Sequence, residues 1–241
     1  MINGRTDLCV DDTRFITPSV LIQVLPESMV ESMASTPDTG ESRGRGRPPT
    51  VSVDAVAEIG LGLFLKNGFD QTTMTDIATA ASIGRKTLFN YFPNKADIVW
   101  NRFNRQLKDL TNALERAPAD IVSTDAVVAA VLSGLHTYPA ALPIMRAEVT
   151  LIQAVPALQS YAYMQGQPWR DAITHFIADR EGLDPKDTLP EVLGHGYWHA
   201  MFVGFRNWLH SGQASPLPYV ETALRDYSRA LQAAFAHEKT Q

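Results

Sequence analysis

Residues 73–95, TMTDIATAASIGRKTLFNYFPNK, contain two short amphipathic segments separated by a tight turn. Apolar or small side chains recur at helical spacing in both segments, and the period is interrupted only near Ser82. These side chains are Ile77, Ala78, Ala81, Ile83, Leu88 and Phe92. Thr73 and Asp76 have the spacing of a capping box, so they predict where the first helix begins. The stretch therefore predicts a helix-turn-helix, with its second helix over about residues 84–92.

The outward face of the second helix carries groups that DNA recognition uses. Asn90 and either Arg85 or Lys86 are predicted to reach base edges, because their donor and acceptor groups match guanine and adenine in the major groove. Phosphate contacts are predicted for a second set of residues, in which Gly84 allows close approach of the backbone. That set is Thr72, Thr73, Gly84, Thr87, Tyr91 and Lys95.

The stretch and its flanks resemble the TetR family of dimeric transcriptional regulators. The resemblance covers residues 56–100. It is carried by Ile59, Leu63, Phe64, Gly68, Phe69, Thr72, Thr73, Ile77, Ala78, Thr87, Leu88, Tyr91, Phe92 and Lys95. The resemblance implies a third helix that reads a double-stranded DNA operator, and a larger C-terminal domain that forms a homodimer and holds a small-molecule effector.

Three positions depart from the family pattern. Ser82 stands where the turn usually has glycine, so a residue with a Cβ must tolerate or avoid a positive φ there. Gly84 replaces the usual hydroxyl cap of the second helix, which weakens the cap. Phe89 stands where the family commonly has tyrosine, so a phenol contact to phosphate is absent at that position.

Composition and charge narrow the class of protein. The chain has 241 residues with 45% hydrophobic content, enough for one large or two modest domains. No apolar run is long enough to cross a membrane, and the single cysteine, Cys9, fits a reducing, cytoplasmic location. The net charge is −5, but residues 43–95 hold seven basic and four acidic side chains. The positive charge is therefore concentrated around the predicted DNA-reading helix.

The N-terminal residues 1–48 are predicted to be a disordered tail with a basic arm, because they lack a helical or strand period. Met29 and Met33 are alternative start positions. Arg45 and Arg47 either follow the DNA backbone or minor groove, or form part of a solvated tether. The predicted DNA-binding domain follows at residues 49–97.

Residues 98–241 are predicted to form the ligand-binding and dimerisation domain. A helix from Asn94 to about Glu115 joins this domain to the DNA-binding domain, and Asn94 with Asp97 three residues on has the spacing to cap its start. Helical patterns broken by proline and glycine then predict an all-α bundle. Their approximate ranges are 124–137, 140–153, 157–165, 168–181, 189–211 and 217–237. The last two helices are the predicted dimer surface, because Gly194, Gly196, Ala200 and Gly204 permit close helix approach. The alternative is that this pair is intramolecular core.

Residues 146–159 and the pair Trp169 and Arg170 resemble a branch of the TetR family that includes the mycofactocin-system regulator. This resemblance implies an apolar, anionic effector such as an acyl-CoA. Arg146 or Arg170 would pair its charge, whereas in the alternative interpretation Arg146 lies on a solvated face. The remaining predicted lining is apolar and aromatic. It consists of Trp100, Phe103, Met145, Val149, Tyr161, Trp169 and Phe202.

Two other classes of protein remain as alternatives. His195 and His199 are four residues apart on one predicted helix, a spacing that can bind a metal in a helical metalloprotein or enzyme. Gly196 occupies the place of the glutamate that a hydrolytic HExxH motif needs, and no third ligand is evident, so neither a metal nor a cofactor is expected. The other alternative is a DNA-binding protein without an effector. A transcriptional regulator, and not an enzyme, is the favoured interpretation.

Overall fold

The computed structural model describes residues 51–136 and 142–238, with side chains for all of these except His136 and residues 233–238. The predicted tail, including Arg45 and Arg47, lies outside the described residues. The described part of the chain contains ten α-helices and no strand, which confirms the all-α prediction. They are α1 (Val53–Asn67), α2 (Met74–Ala80), α3 (Arg85–Tyr91), α4 (Lys95–Glu115), α5 (Ser123–His136), α6 (Leu142–Ala154), α7 (Pro156–Gln165), α8 (Gln167–Glu181), α9 (Thr188–Ser211) and α10 (Leu217–Glu238).

Helices α1 to α3 form the N-terminal head. Ser52 caps α1 by accepting a hydrogen bond from the backbone N–H of Ala55. The predicted capping box is present at the start of α2, where the side chains of Thr73 and Asp76 each bond the other's backbone N–H. Ile77 and Leu88 are fully buried between the three helices. The helix-turn-helix therefore has the local signals and the core that its sequence predicts.

The turn between α2 and α3 contains Ser82, which stands where the family usually has glycine. Ser82 has a φ of 52°, so it adopts the left-handed conformation that glycine usually supplies. The N–H of Ile83 donates to the carbonyl of Ala78 at 3.0 Å, and the N–H of Ser82 donates to that of Thr79 at 3.1 Å. This pair of bonds is a Schellman motif, which ends α2 and holds Ser82 in its strained position.

Helix α4 connects the head to the rest of the molecule. It has 21 residues and a capping box formed by Asn94 and Asp97, as predicted. At 1.5 Å per residue it is about 30 Å long. Trp100 and Phe103 are buried on one face, together with Ile98, Val99, Leu110 and Leu114. One rigid element therefore begins directly after α3 and continues through the core.

Helices α5 to α10 form the body, and the glycines of α9 decide how it packs. A Cβ on Gly194 would lie 2.7 Å from the carbonyl oxygen of Arg170 in α8. A Cβ on Gly204 would lie 2.5 Å from the Cα of Val220 in α10. These two glycines therefore permit close helix packing within one chain. This agrees with the alternative interpretation, in which α9 and α10 form intramolecular core.

No helix in the described ranges, 51–136 and 142–238, combines the length and the apolar character needed to cross a membrane.

Candidate DNA interface and effector site

The surface of α3 presents the residues predicted to read bases. Arg85, Lys86 and Asn90 are exposed, whereas Leu88 on the opposite side is fully buried. Phe89 lies on the same outward surface with 42% of its area exposed. An apolar ring there is suited to contact a thymine methyl group and cannot donate a hydrogen bond to phosphate. The face therefore combines cationic, amide and aromatic groups.

The two threonines just before α2, Thr72 and Thr73, differ in burial. Thr72 is 1% exposed, and its hydroxyl donates to the carbonyl of Gly68 at 2.8 Å. Its side chain therefore supports the loop from within and presents no surface to a phosphate. Thr73 is exposed, but its hydroxyl donates to the Asp76 carboxylate at 2.7 Å. That carboxylate lowers the electrostatic attraction of this helix end for an anion.

The structure also gives Lys95 and Tyr91 partners within the head. The ammonium of Lys95 donates to the carbonyl of Phe69 at 2.7 Å and lies 4.6 Å from the centroid of the Phe69 ring. Its tether to the α1–α2 loop competes with the predicted phosphate contact. The Tyr91 hydroxyl donates to the carbonyl of Val51 at 3.4 Å. The described chain therefore begins beside α3.

Gly84 and Thr87 lie at the start of α3. Gly84 is the N-cap and supplies no side-chain hydrogen bond. A Cβ on Gly84 would meet only the hydroxyl of Thr87, at 3.9 Å. The amides of the first turn of α3 therefore lack a side-chain cap, which leaves the backbone approachable as predicted.

Four of the predicted effector-site residues meet in one aromatic cluster in the body. The rings of Trp100 and Phe103 are 5.0 Å apart, and Phe202 stacks on Phe103 at 5.9 Å. Trp198 joins the cluster at 4.9 Å from Phe202 and 5.9 Å from Trp169. The prediction had omitted Trp198, although its position four residues before Phe202 puts both rings on one face of α9. The rings are in contact, so a ligand would have to displace some of them.

Arg170 is a buried cation at the edge of this aromatic cluster. It is 1% exposed, and one guanidinium nitrogen donates to the carbonyl of Tyr163 at 2.7 Å and to the Gln167 amide oxygen at 2.6 Å. Its Nε and Nη1 have no hydrogen-bond partner. Within the described residues no carboxylate forms an ion pair with it. A Cβ on Gly166 would touch both this guanidinium and Trp198, which places the two side by side.

The other predicted effector-site residues lie elsewhere or in the packed core. The guanidinium of Arg146 stacks on Trp208 at 4.2 Å and bonds the carbonyl of Gln213, and its burial lowers the pKa of Arg146. It therefore holds the α9–α10 loop, and is not on a solvated face. Met145 and Val149 are fully buried in the core. The Tyr161 hydroxyl bonds Asp97, at the start of α4.

A polar cleft of about 240 Å³ lies between α1, α4 and α6 and was not predicted. Arg102 and Glu148 form a buried ion pair in it, with 2.6 Å between nitrogen and oxygen. Burial raises the pKa of the Glu148 carboxyl above its ordinary value, although the adjacent Arg102 guanidinium opposes the shift. Asp54 of α1 pairs with Arg105 of α4 at the rim. Ion pairs in and beside the cleft therefore link α4 to α6 of the body and to α1 of the head.

The two histidines of the metal alternative lie on α9. The Nδ1 atom of His199 is 2.9 Å from the carbonyl oxygen of His195, so the backbone occupies that ring nitrogen. Among the described residues, no three His, Cys, Asp or Glu side chains converge on a common point.

An exposed polar helix in a helix-turn-helix, joined by one long helix to a helical body, defines a DNA-binding protein of the helix-turn-helix class. Comparison with known families gives the particular family. The profile of bacterial regulatory proteins of the tetR family matches residues 59–99, and the profile of the MftR C-terminal domain matches residues 122–232. The chain belongs to the TetR family of transcriptional regulators, whose members are generally not enzymes, and it resembles MftR.

Individual relatives agree with this assignment. The "Putative mycofactocin biosynthesis transcriptional regulator MftR" of Mycobacterium tuberculosis strain H37Rv is 29% identical over 171 residues, which cover 70% of this chain and 86% of that protein. Among solved structures, FadR of Thermus thermophilus, a TetR-family transcriptional repressor in complex with lauroyl-CoA, has a TM-score of 0.51. It is 20% identical, and the match covers 73% of this chain and 93% of FadR. This structural likeness concerns the fold.

Proposed function

We propose that the protein is a ligand-responsive repressor that binds a palindromic operator as a homodimer and is released by an apolar, anionic effector such as an acyl-CoA. The observation that carries the proposal is the position of α4. It begins directly after α3, and its residues Trp100 and Phe103 lie in the aromatic cluster. A ligand that moves these rings would also move the DNA-reading helix.

On the DNA side, Arg85, Lys86 and Asn90 are the proposed base-reading residues, since all three are exposed on α3. Thr87 and the uncapped amides after Gly84 are the proposed phosphate contacts on the same helix. Arg45 and Arg47, which lie outside the described residues, stay proposed contacts to the adjacent DNA backbone or minor groove.

The dimer is proposed to form through the outer surfaces of α9 and α10. Val192 and Val203 of α9 are 52% and 38% exposed. Beside Val203 a shallow groove is lined by Ala200, Tyr219 and Ala223. Apolar surface of this kind on two long helices suits a four-helix interface across a two-fold axis.

The effector class follows from the aromatic cluster and Arg170. Aromatic rings would hold an apolar chain, and a buried guanidinium without a carboxylate partner would bind an anionic group at its end. FadR was solved with lauroyl-CoA, which makes that compound a rational first probe. The Nε1 of Trp100 is a further unpaired donor in the cluster.

The test is the operator affinity with and without effector, measured on a duplex that the wild-type protein selects from a random library. Lauroyl-CoA is expected to weaken binding by about 5- to 150-fold, the usual range of allosteric coupling. Arg170→Met should lose most of this response relative to its own affinity without effector, because the anionic group loses its partner. The matched control is Arg206→Met, which removes an exposed arginine of α9. An acyl-CoA that raises the melting temperature but leaves wild-type operator affinity unchanged would refute the proposed switch.

A further inference from the structure

Helix α7 is hydrogen-bonded directly to the start of α4. The Tyr161 hydroxyl donates to Oδ1 of Asp97 at 2.7 Å, and the Gln165 amide donates to the same oxygen at 3.4 Å. The Asn94 side-chain amide donates to the Tyr161 oxygen at 3.2 Å. Three hydrogen bonds therefore join one turn of α7 to the two residues of the capping box at the head–body junction.

These bonds involve the residues that define where α4 begins. The other Asp97 oxygen accepts a hydrogen bond from the backbone N–H of Asn94 at 3.2 Å, and Asn94 Oδ1 accepts one from the N–H of Asp97 at 3.1 Å. Phe92, the C-cap of α3, is only two residues before Asn94. Contacts that hold the Asn94–Asp97 capping box in place therefore also restrict the orientation of α3 relative to α4.

The same short helix α7 also contacts the buried cation of the body. The carbonyl of Tyr163 accepts a hydrogen bond from Arg170, and its ring lies 4.6 Å from the Arg170 guanidinium. Tyr163 is only two residues after Tyr161, so one helix turn contacts both Arg170 and Asp97. A shift of Arg170 therefore has a path of direct contacts to the α4 cap.

We propose that Tyr161 is a positioning residue for DNA reading: its hydroxyl holds Asp97, and α7 thereby couples Arg170 to the orientation of α3. The proposal rests on the proposed function only in that α3 contacts DNA. It assigns Tyr161 to the head–body junction instead of the lining of the effector site. Its physical reason is that an ionised acceptor makes a stronger hydrogen bond than a neutral one, so this bond restricts the head more than its neighbours do.

The first test removes only the hydroxyl, by Tyr161→Phe. The hydroxyl's hydrogen bonds to Asp97 and Asn94 are both lost. Operator affinity should fall about 3- to 10-fold, because a freer head less often places two α3 helices at the spacing of successive major grooves. Affinity for a scrambled duplex should stay unchanged, since phosphate attraction does not need that spacing. Unchanged or tighter operator binding would overturn the proposal.

The matched control is Tyr197→Phe, which removes a buried hydroxyl bond to Ser228 within the body. It should lower the melting temperature at least as much as Tyr161→Phe and leave operator affinity alone. A second control is the Asn94→Ala, Asp97→Ala background, which lacks both partners of the Tyr161 hydroxyl. Tyr161→Phe should cause no further loss there, and an additional loss would show that Tyr161 acts by another route.

A readout without DNA separates this proposal from the proposed function. Amide hydrogen exchange over residues 85–92 should be about 3- to 10-fold faster in Tyr161→Phe than in Tyr197→Phe, because α3 is less restrained. Equal exchange in the two variants would overturn the positioning role, even if the protein proves to be an operator-binding regulator. Faster exchange without any selectable operator would support it while the proposed function fails.

Discussion

At the scale of single residues, Ser82 departs from the rule that glycine occupies left-handed turn positions. Its φ of 52° is unfavourable for a residue with a Cβ, and the Schellman hydrogen bonds hold it there. Its side chain is exposed and needs no partner for burial. The strain is therefore a net cost to the free energy of folding.

Ser82→Gly is expected to stabilise the protein by about 0.5–1 kcal/mol, because glycine adopts this conformation without steric cost but loses more chain entropy. The measurement is urea unfolding at neutral pH. The neighbouring control, Ala81→Gly, has an ordinary φ of −79° and loses a buried methyl group, so it should destabilise by more than about 1 kcal/mol. A loss of stability in Ser82→Gly would show that the serine makes an interaction that outweighs the strain.

Residue-level patterns predicted local structure well and long-range partners poorly. Both capping boxes were predicted, because each depends on two residues three positions apart. The partners of Lys95 were not, since the carbonyl of Phe69 is 26 residues away in the chain. Thr72 was predicted to contact phosphate, and its burial depends equally on a distant packing arrangement.

At the scale of helices, the predicted ranges agree with the structure to within about two residues. Proline, glycine and capping residues mark most of the boundaries, and these act locally. Which helix packs against a given face depends on the tertiary fold, and local patterns do not contain that information. The sequence therefore predicts a dimer contact for the glycines of α9, whereas the structure packs them against helices of the same chain. The buried pair between α4 and α6 was missed for the same reason, because Arg102 and Glu148 are 46 residues apart.

Removing one partner of this pair should cost about 3–5 kcal/mol, since the other charge is left buried and unpaired. Arg102→Met or Glu148→Leu is therefore expected to be strongly destabilising in urea unfolding. The double variant should be less destabilised than either single variant, because no unpaired charge remains. Costs that simply add would contradict this account of how α4 is attached to the body.

At the scale of the whole molecule, the fold and the exposed face of α3 follow from the sequence more fully than the proposed effector site does. Leu88 and Phe92 determine by helical period which side of α3 is exposed. The proposed effector residues come from three different helices, α4, α8 and α9, and their meeting depends on tertiary packing. Helical spacing relates Trp198 to Phe202, but it cannot show that Arg146 lies apart.

The proposed dimer gives a prediction at this scale. Val203→Glu should weaken dimerisation by tenfold or more, because burying an unpaired carboxylate costs more than about 1.4 kcal/mol. The measurement is sedimentation velocity over a range of concentrations. Val122→Glu is the matched control, since Val122 is 56% exposed but lies just before α5. If Val203→Glu associates like the wild type, the dimer surface is not on this part of α9.

The central claim is that the outward face of α3 reads DNA sequence, and the most direct measurement is the ratio of affinities for the selected and a scrambled duplex at fixed salt. Asn90→Ala, which changes no charge, should lower this ratio by about 5- to 150-fold, the loss of one bidentate base contact of about 1–3 kcal/mol. Arg85→Ala should lower it similarly and also weaken binding to the scrambled duplex. Asn67→Ala, an exposed asparagine of α1 in the same head, should leave the ratio unchanged. If the Asn90→Ala and Arg85→Ala variants both keep the wild-type ratio, α3 is not the helix that reads the operator.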